Sequence, residues 1–173
     1  MFLTRLINRP LSIGKSNLRL YSTKYIRNEQ IYIHKINDYS YNYSFSPKPE
    51  SIPIGHSQES QSITPTNFIP NSKFIDLLQN TISKNAHNDF TFLMEAGVNA
   101  NTFMPIYDLR EIPKYARIPE MENIFGYIQV DANGRMVPDT YEPNNLYRIC
   151  NGTAGLTKLS DHLYEKVQQE CEK

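Results

Sequence analysis

The stretch Ile124-Phe125-Gly126-Tyr127-Ile128-Gln129-Val130-Asp131-Ala132-Asn133-Gly134-Arg135-Met136-Val137 decides the fold class. Its first seven residues are mostly β-branched or aromatic and favour a strand. Asp131 opens a turn by bonding backbone amides, and Asn133-Gly134 closes it, because Asn and Gly tolerate left-handed backbone. The segment therefore predicts a β-hairpin. It is not a calcium loop, because the third acidic ligand and the closing Glu are missing at the required offsets.

Upstream, residues 90–95 (FTFLME) and 103–109 (FMPIYDL) read as strands, joined by a loop containing Gly97, Asn99 and Asn101. Before them, Ser72 is placed to cap a helix over about 73–86, with Phe74, Ile75, Leu78 and Ile82 on its apolar stripe. Downstream, residues 145–150 (NLYRIC) suggest another strand. Thr157 is placed to cap a last helix to about Cys171, with Leu159, Leu163 and Val167 spaced by four and Leu156 and Tyr164 on the flanks. Strands between two helices predict an α+β fold: a small, largely antiparallel sheet flanked by an N-terminal and a C-terminal helix. On this reading residues 67–173 form the domain, a length that buries enough surface for one core.

Residues 36–66 contain no Leu or Val, but four Pro and seven Ser. Such a composition predicts a disordered or extended arm over 22–66, too poor in apolar area to offset its ordering entropy. Within it Tyr39, Tyr41, Tyr43 and Phe45 alternate with small polar residues, so an extended chain would aim all four rings to one side. That pattern suits an arm lying along a partner or adding a strand to a sheet edge.

Residues 1–28 hold six basic residues (Arg5, Arg9, Lys15, Arg19, Lys24 and Arg27) and no acidic one. At 100° per residue Phe2, Leu3, Leu6, Ile7, Leu11, Ile13, Leu18 and Leu20 share one half of a helical wheel, opposite Arg5, Arg9, Lys15 and Arg19. This is the composition of a mitochondrial presequence, assigned to residues 1–21. Arg19-Leu20-Tyr21-Ser22 resembles the processing signal of matrix-imported proteins, which implies a mature start near Tyr21 or Ser22. A secretory signal would need an apolar h-region that is missing.

The 173-residue chain balances 18 basic against 18 acidic residues. Removing residues 1–21 takes away four basic residues and leaves a net charge of −4. A chain whose main partner is RNA carries a positive excess to neutralise phosphates, and this one does not. No run approaches the 18 apolar residues that span a membrane. With only Cys150 and Cys171, a disulfide framework is excluded, and no cofactor is implied.

Other chemistry is thin. Gly152-Thr-Ala-Gly-Leu-Thr-Lys158 lacks P-loop spacing. Cys150 could act as a nucleophile with His162 or His87, but follows a β-prone run and reads as a small buried hydrophobe. His34, His56, His87 and His162 have no metal-ligand spacing. Glu95 and Asp108 end strands, with nothing to pair them to a nucleophile or metal.

Residues 107–122 are different. Tyr107, Arg110, Lys114, Tyr115 and Arg117 lie in a segment whose Ile112-Pro113 and Ile118-Pro119 steps hold it extended. Mixed charge with aromatics and Pro suits a protein–protein surface. Together with Tyr39, Tyr41, Tyr43 and Phe45, these residues form the expected partner surface. The sequence thus points to a non-enzymatic mitochondrial protein of the matrix or of the matrix face of the inner membrane: an assembly or quality-control factor, or a peripheral subunit of a respiratory complex or the mitochondrial ribosome. A mitochondrial ribosome-associated protein touching rRNA and a small enzyme using Cys150 are the alternatives.

Overall fold

A computed structural model describes residues 22–113, 117–152 and 154–173. The expected presequence lies outside them. The chain begins with a meander of β1 (Ser22–Tyr25), β2 (Asn28–Asn37), β3 (Ser40–Ser44), β4 (Gly55–Ser57) and β5 (Phe68–Pro70), each antiparallel to the one before. Two helices follow, α1 (Ser72–Asn85) and α2 (Phe90–Ala96). Next come β6 (Phe103–Tyr107), β7 (Ile124–Gln129) and β8 (Glu142–Pro143), a three-stranded antiparallel sheet. A two-residue hairpin of β9 (Cys150–Asn151) and β10 (Gly155–Leu156) leads to α3 (Asp161–Cys171). The fold is α+β with antiparallel sheets.

The boundary expected at residue 67 is wrong: residues 22–66 are not an arm but most of the larger sheet. Ile33, Tyr43 and Gly55 lie side by side across β2, β3 and β4. Tyr43 is fully buried and meets Tyr25 and Phe68 edge-on, at 6.0 and 5.6 Å between ring centres. A Cβ on Gly55 would lie 2.4 Å from the Ile69 carbonyl oxygen and 2.5 Å from the Phe68 ring, so only glycine fits there. Just past β3, Phe45 inserts between Phe74 of α1 and Tyr164 of α3. Ile54 and Ile63 are also buried. The many Ser and Asn side chains close turns by bonding backbone and one another: Ser44 Oγ lies 2.7 Å from Ser51 Oγ, and Asn67 Nδ2 donates to Ser62 O at 2.8 Å. A few well-placed rings and isoleucines, with polar side chains satisfying the loops, supply the core that the mean composition hides.

The helices pack their stripes on one core. α1 buries Phe74, Leu78, Thr81 and Ile82, and α3 buries Leu163, Val167 and Cys171. The caps differ from expectation. Asn71, not Ser72, accepts from the Lys73 amide. Ser160, not Thr157, accepts from the Leu163 amide, because Thr157 donates its own amide to Ile149 O beside β9. FTFLME is helix, not strand. Asp89 accepts from the Thr91 amide and starts α2, which turns Phe92 and Ala96 inward. Asp89 also receives the Ser160 hydroxyl, so one carboxylate joins the starts of α2 and α3.

The hairpin chemistry holds. Asp131 Oδ1 accepts from the amides of Asn133 and Arg135, both at 2.8 Å, and Gly134 takes φ +74°. Val130 bridges Met136 across the turn. Of the expected strand at 145–150, only Cys150 joins a ladder, because Tyr147 and Arg148 fold back through amides donated to Asn144 O and Glu122 O.

Candidate interaction surface

α2 is a seven-residue helix with two apolar sides. Phe92 and Ala96 face the core, and Phe92 meets Tyr107 edge-on at 5.6 Å. On the other side Phe90, Leu93 and Met94, with Val98 just beyond the helix, follow the i, i+3, i+4, i+8 spacing of one helical face. Phe90, Met94 and Val98 are 74%, 65% and 85% exposed. Ile112 and Ile118, each before a proline, are 81% and 80% exposed. Most of the exposed large apolar side chains among the described residues fall between residues 90 and 121. Scattered apolar surface is ordinary, but a concentration of this kind marks an interaction site.

Between α2, β6 and residues 112–113 and 117–119 lies a hollow of about 680 Å³, walled by Val98, Pro105, Ile112, Pro113, Ile118 and Pro119. Its polar groups are Glu95, Asn99, Tyr107 and Arg117. The Tyr107 hydroxyl donates to Glu95 Oε1 at 2.5 Å. Burial, then the hydrogen bond and charge of Glu95, raise the Tyr107 phenol well above its ordinary range. Pro105 sits in β6, an edge strand paired only with β7 among the described residues, where a missing N–H breaks no ladder.

The segment bearing Ile112 and Ile118 is anchored at its root by a buried ion pair. Arg110 Nε lies 3.2 Å from Asp108 Oδ2, with both side chains almost wholly enclosed. The guanidinium donates to the carbonyls of Ile149 at 3.1 Å, Gly155 at 2.8 Å and Arg148. Asp108 Oδ1 accepts from the amides of Arg110 and Lys158, each at 2.9 Å, and Oδ2 accepts from the Tyr147 hydroxyl at 3.2 Å. Burial pushes the Asp108 carboxyl above the usual carboxylate range, against the pull of Arg110 and these donors. The cluster clamps three loops together. At the far end Asn123 Nδ2 donates to Glu111 Oε2 at 3.0 Å.

The expected partner surface is therefore split. Tyr43 and Phe45 cannot meet a partner, because both are fully buried in the protein's own core. Tyr41 is half-buried, and Tyr39 is exposed in the turn after β2. Arg110 is the clamp just described and is not free to meet a partner or a phosphate. Lys114 and Tyr115 lie outside the described residues. Tyr107 and Arg117 do line the hollow. Sequence reasoning missed Phe90, Leu93, Met94 and Val98. Their helical spacing is legible, but the Phe-Thr-Phe start of FTFLME favours a strand and hides it.

Compared with known proteins, the chain matches no family model, no curated protein and no solved structure. Cys150 is buried, its thiol pushed up by burial and donating weakly to Asn151 O at 3.9 Å. Among the described residues no three His, Cys, Asp or Glu are grouped to hold a metal ion, and no helix is long and apolar enough to cross a membrane.

Proposed function

We propose that this is a mitochondrial matrix protein that works without catalysis, by binding other proteins, as an assembly or quality-control factor or a peripheral subunit of a respiratory complex. The observation that carries the binding role is the apolar surface around α2, where Phe90, Met94, Val98, Ile112 and Ile118 stand in water beside a walled hollow. The basic, acid-free opening of the chain supports the address. Exposed apolar side chains raise the free energy of the free protein in water, and a partner that covers them recovers about 25 cal/mol per Å² buried.

The test is affinity purification of tagged protein from mitochondria, followed by sizing on a gradient. Wild type co-purifies with a defined set of proteins. Leu93→Asp combined with Val98→Asp removes that set by at least about tenfold, since interfaces lean on a few buried anchors. Retention of the same partners by the double variant overturns the assignment of the surface. A reporter behind residues 1–28 that stays in the cytosol overturns the address.

A further inference from the structure

We infer that the first partner of this surface is a second copy of the same chain, bound as a two-fold symmetric dimer. This rests on the reading above that the surface binds protein. It adds which protein.

Three observations favour the second copy. The first is area. Phe90, Leu93, Met94, Val98, Ile112 and Ile118 are between 44% and 85% exposed. At roughly 150–200 Å² for a large side chain, they present about 650–850 Å². The largest apolar patch on a typical monomer is about 300–600 Å², whereas a standard interface buries about 800 Å² on each partner.

The second is shape. A two-fold interface uses one patch twice, so the patch must contain both halves of its own complement. Here a ridge, the Phe90–Leu93–Met94 face of α2, stands beside a hollow entered past Val98, Ile112 and Ile118. Under a two-fold axis each ridge meets the partner's hollow, and the contact closes on itself.

The third is charge. The hollow is lined by Glu95 and Arg117, of opposite sign. Neither forms an ion pair within the described residues. A partner of one strong sign would be repelled by one of them. A second copy brings both signs in reversed order, so Glu95 of one protomer faces Arg117 of its partner, twice.

The experiment is sedimentation equilibrium on the purified full chain, with circular dichroism on every variant. Wild type sediments as a reversible monomer–dimer equilibrium that is mostly dimer by about 100 μM. Leu93→Asp weakens association at least about 50-fold, because it places a charge on the ridge. Glu95→Lys and Arg117→Glu each weaken it about tenfold through like-charge contact. Mixed in equal amounts, the two charge variants regain wild-type mass as a heterodimer, a recovery that no loss of structure can imitate. Arg117 is exposed. So if Glu95→Lys misfolds, Arg117→Glu alone must still weaken the dimer, and by less as salt rises. A monomeric wild type refutes the dimer, as does a dimer indifferent to Leu93→Asp or a folded mixture that does not recover. If a monomeric wild type still loses mitochondrial partners on Leu93→Asp, the dimer fails and protein binding stands. If its partners are unaffected, both fail.

Discussion

Replacing Phe45 by Ala tests whether residues 22–66 are core or appendage. The ring is fully buried and touches two others, Phe74 at 5.9 Å and Tyr164 at 5.7 Å between centres. A buried Phe→Ala change costs about 3–5 kcal/mol, the sum of lost transfer energy and the cavity left behind. Each aromatic contact contributes about 0.5–1.5 kcal/mol beyond area. Because Phe45 bridges a strand end to both long helices, the surroundings cannot collapse easily, and the upper half of the range applies. For a domain of this size that lowers Tm by about 10 °C or more. The assay is urea unfolding followed by far-ultraviolet circular dichroism, with Tyr39→Ala as the control from the same alternating run. Tyr39 is 80% exposed, so its loss changes stability by no more than about 0.5 kcal/mol. Equal effects of the two variants, or a Phe45→Ala change below about 1 kcal/mol, would refute the packing argument.

Other outcomes follow from the same geometry. Arg110→Ala strands the Asp108 carboxylate in the interior and lowers unfolding free energy by about 3–5 kcal/mol, whereas Arg117→Ala stays within about 0.5 kcal/mol; similar urea midpoints for the two would contradict the burial assigned to Arg110. Burial, with the nearby charges of Glu172 and Glu170, pushes the Cys171 thiol up to about 12 from an ordinary value of 9.0. A raised thiol stabilises the fold below its unfolded value and loses that contribution as pH rises toward 12. Chain stability therefore falls across that alkaline window, and less so in Cys171→Ala, as pH-dependent melting will read. The same burial keeps both thiols inert to a disulfide reagent near pH 8 until urea is added; rapid native labelling would be the contrary result. Asp89→Ala frees the starts of two helices at once and costs more than the roughly 1 kcal/mol of an ordinary cap, which thermal melting measures.

Much of the fold was legible where local chemistry and tertiary packing agree. Asp131 and Gly134 announce their turn because the turn is made by those residues alone. α1 and α3 were visible through their stripes. The failures have one cause each. FTFLME mixes β-prone Phe and Thr with helix-forming Leu, Met and Glu, and Asp89 at its front caps it as a helix. Residues 22–66 were discounted on average polarity, yet stability there depends on Tyr43, Phe45, Ile54 and Ile63 and not on the mean. The site was half legible: the two Ile-Pro steps were seen, but Arg110 looked like surface because no local pattern shows that the carbonyls of Arg148, Ile149 and Gly155 converge on it.

The opening sheet is sealed by the closing residues. Asn28 Nδ2 donates to Thr157 O at 2.7 Å, Gln30 exchanges two hydrogen bonds with Leu159, and the Ile52 amide donates to Cys171 O at 2.9 Å. A chain emerging front-first from any narrow channel therefore presents its first three strands long before their latch arrives. Until α3 is through, Phe45 lacks Tyr164, one of its two ring partners, and the nascent sheet leaves that ring open to wrong contacts. Loss of the last dozen residues would act as a defect of the front of the molecule.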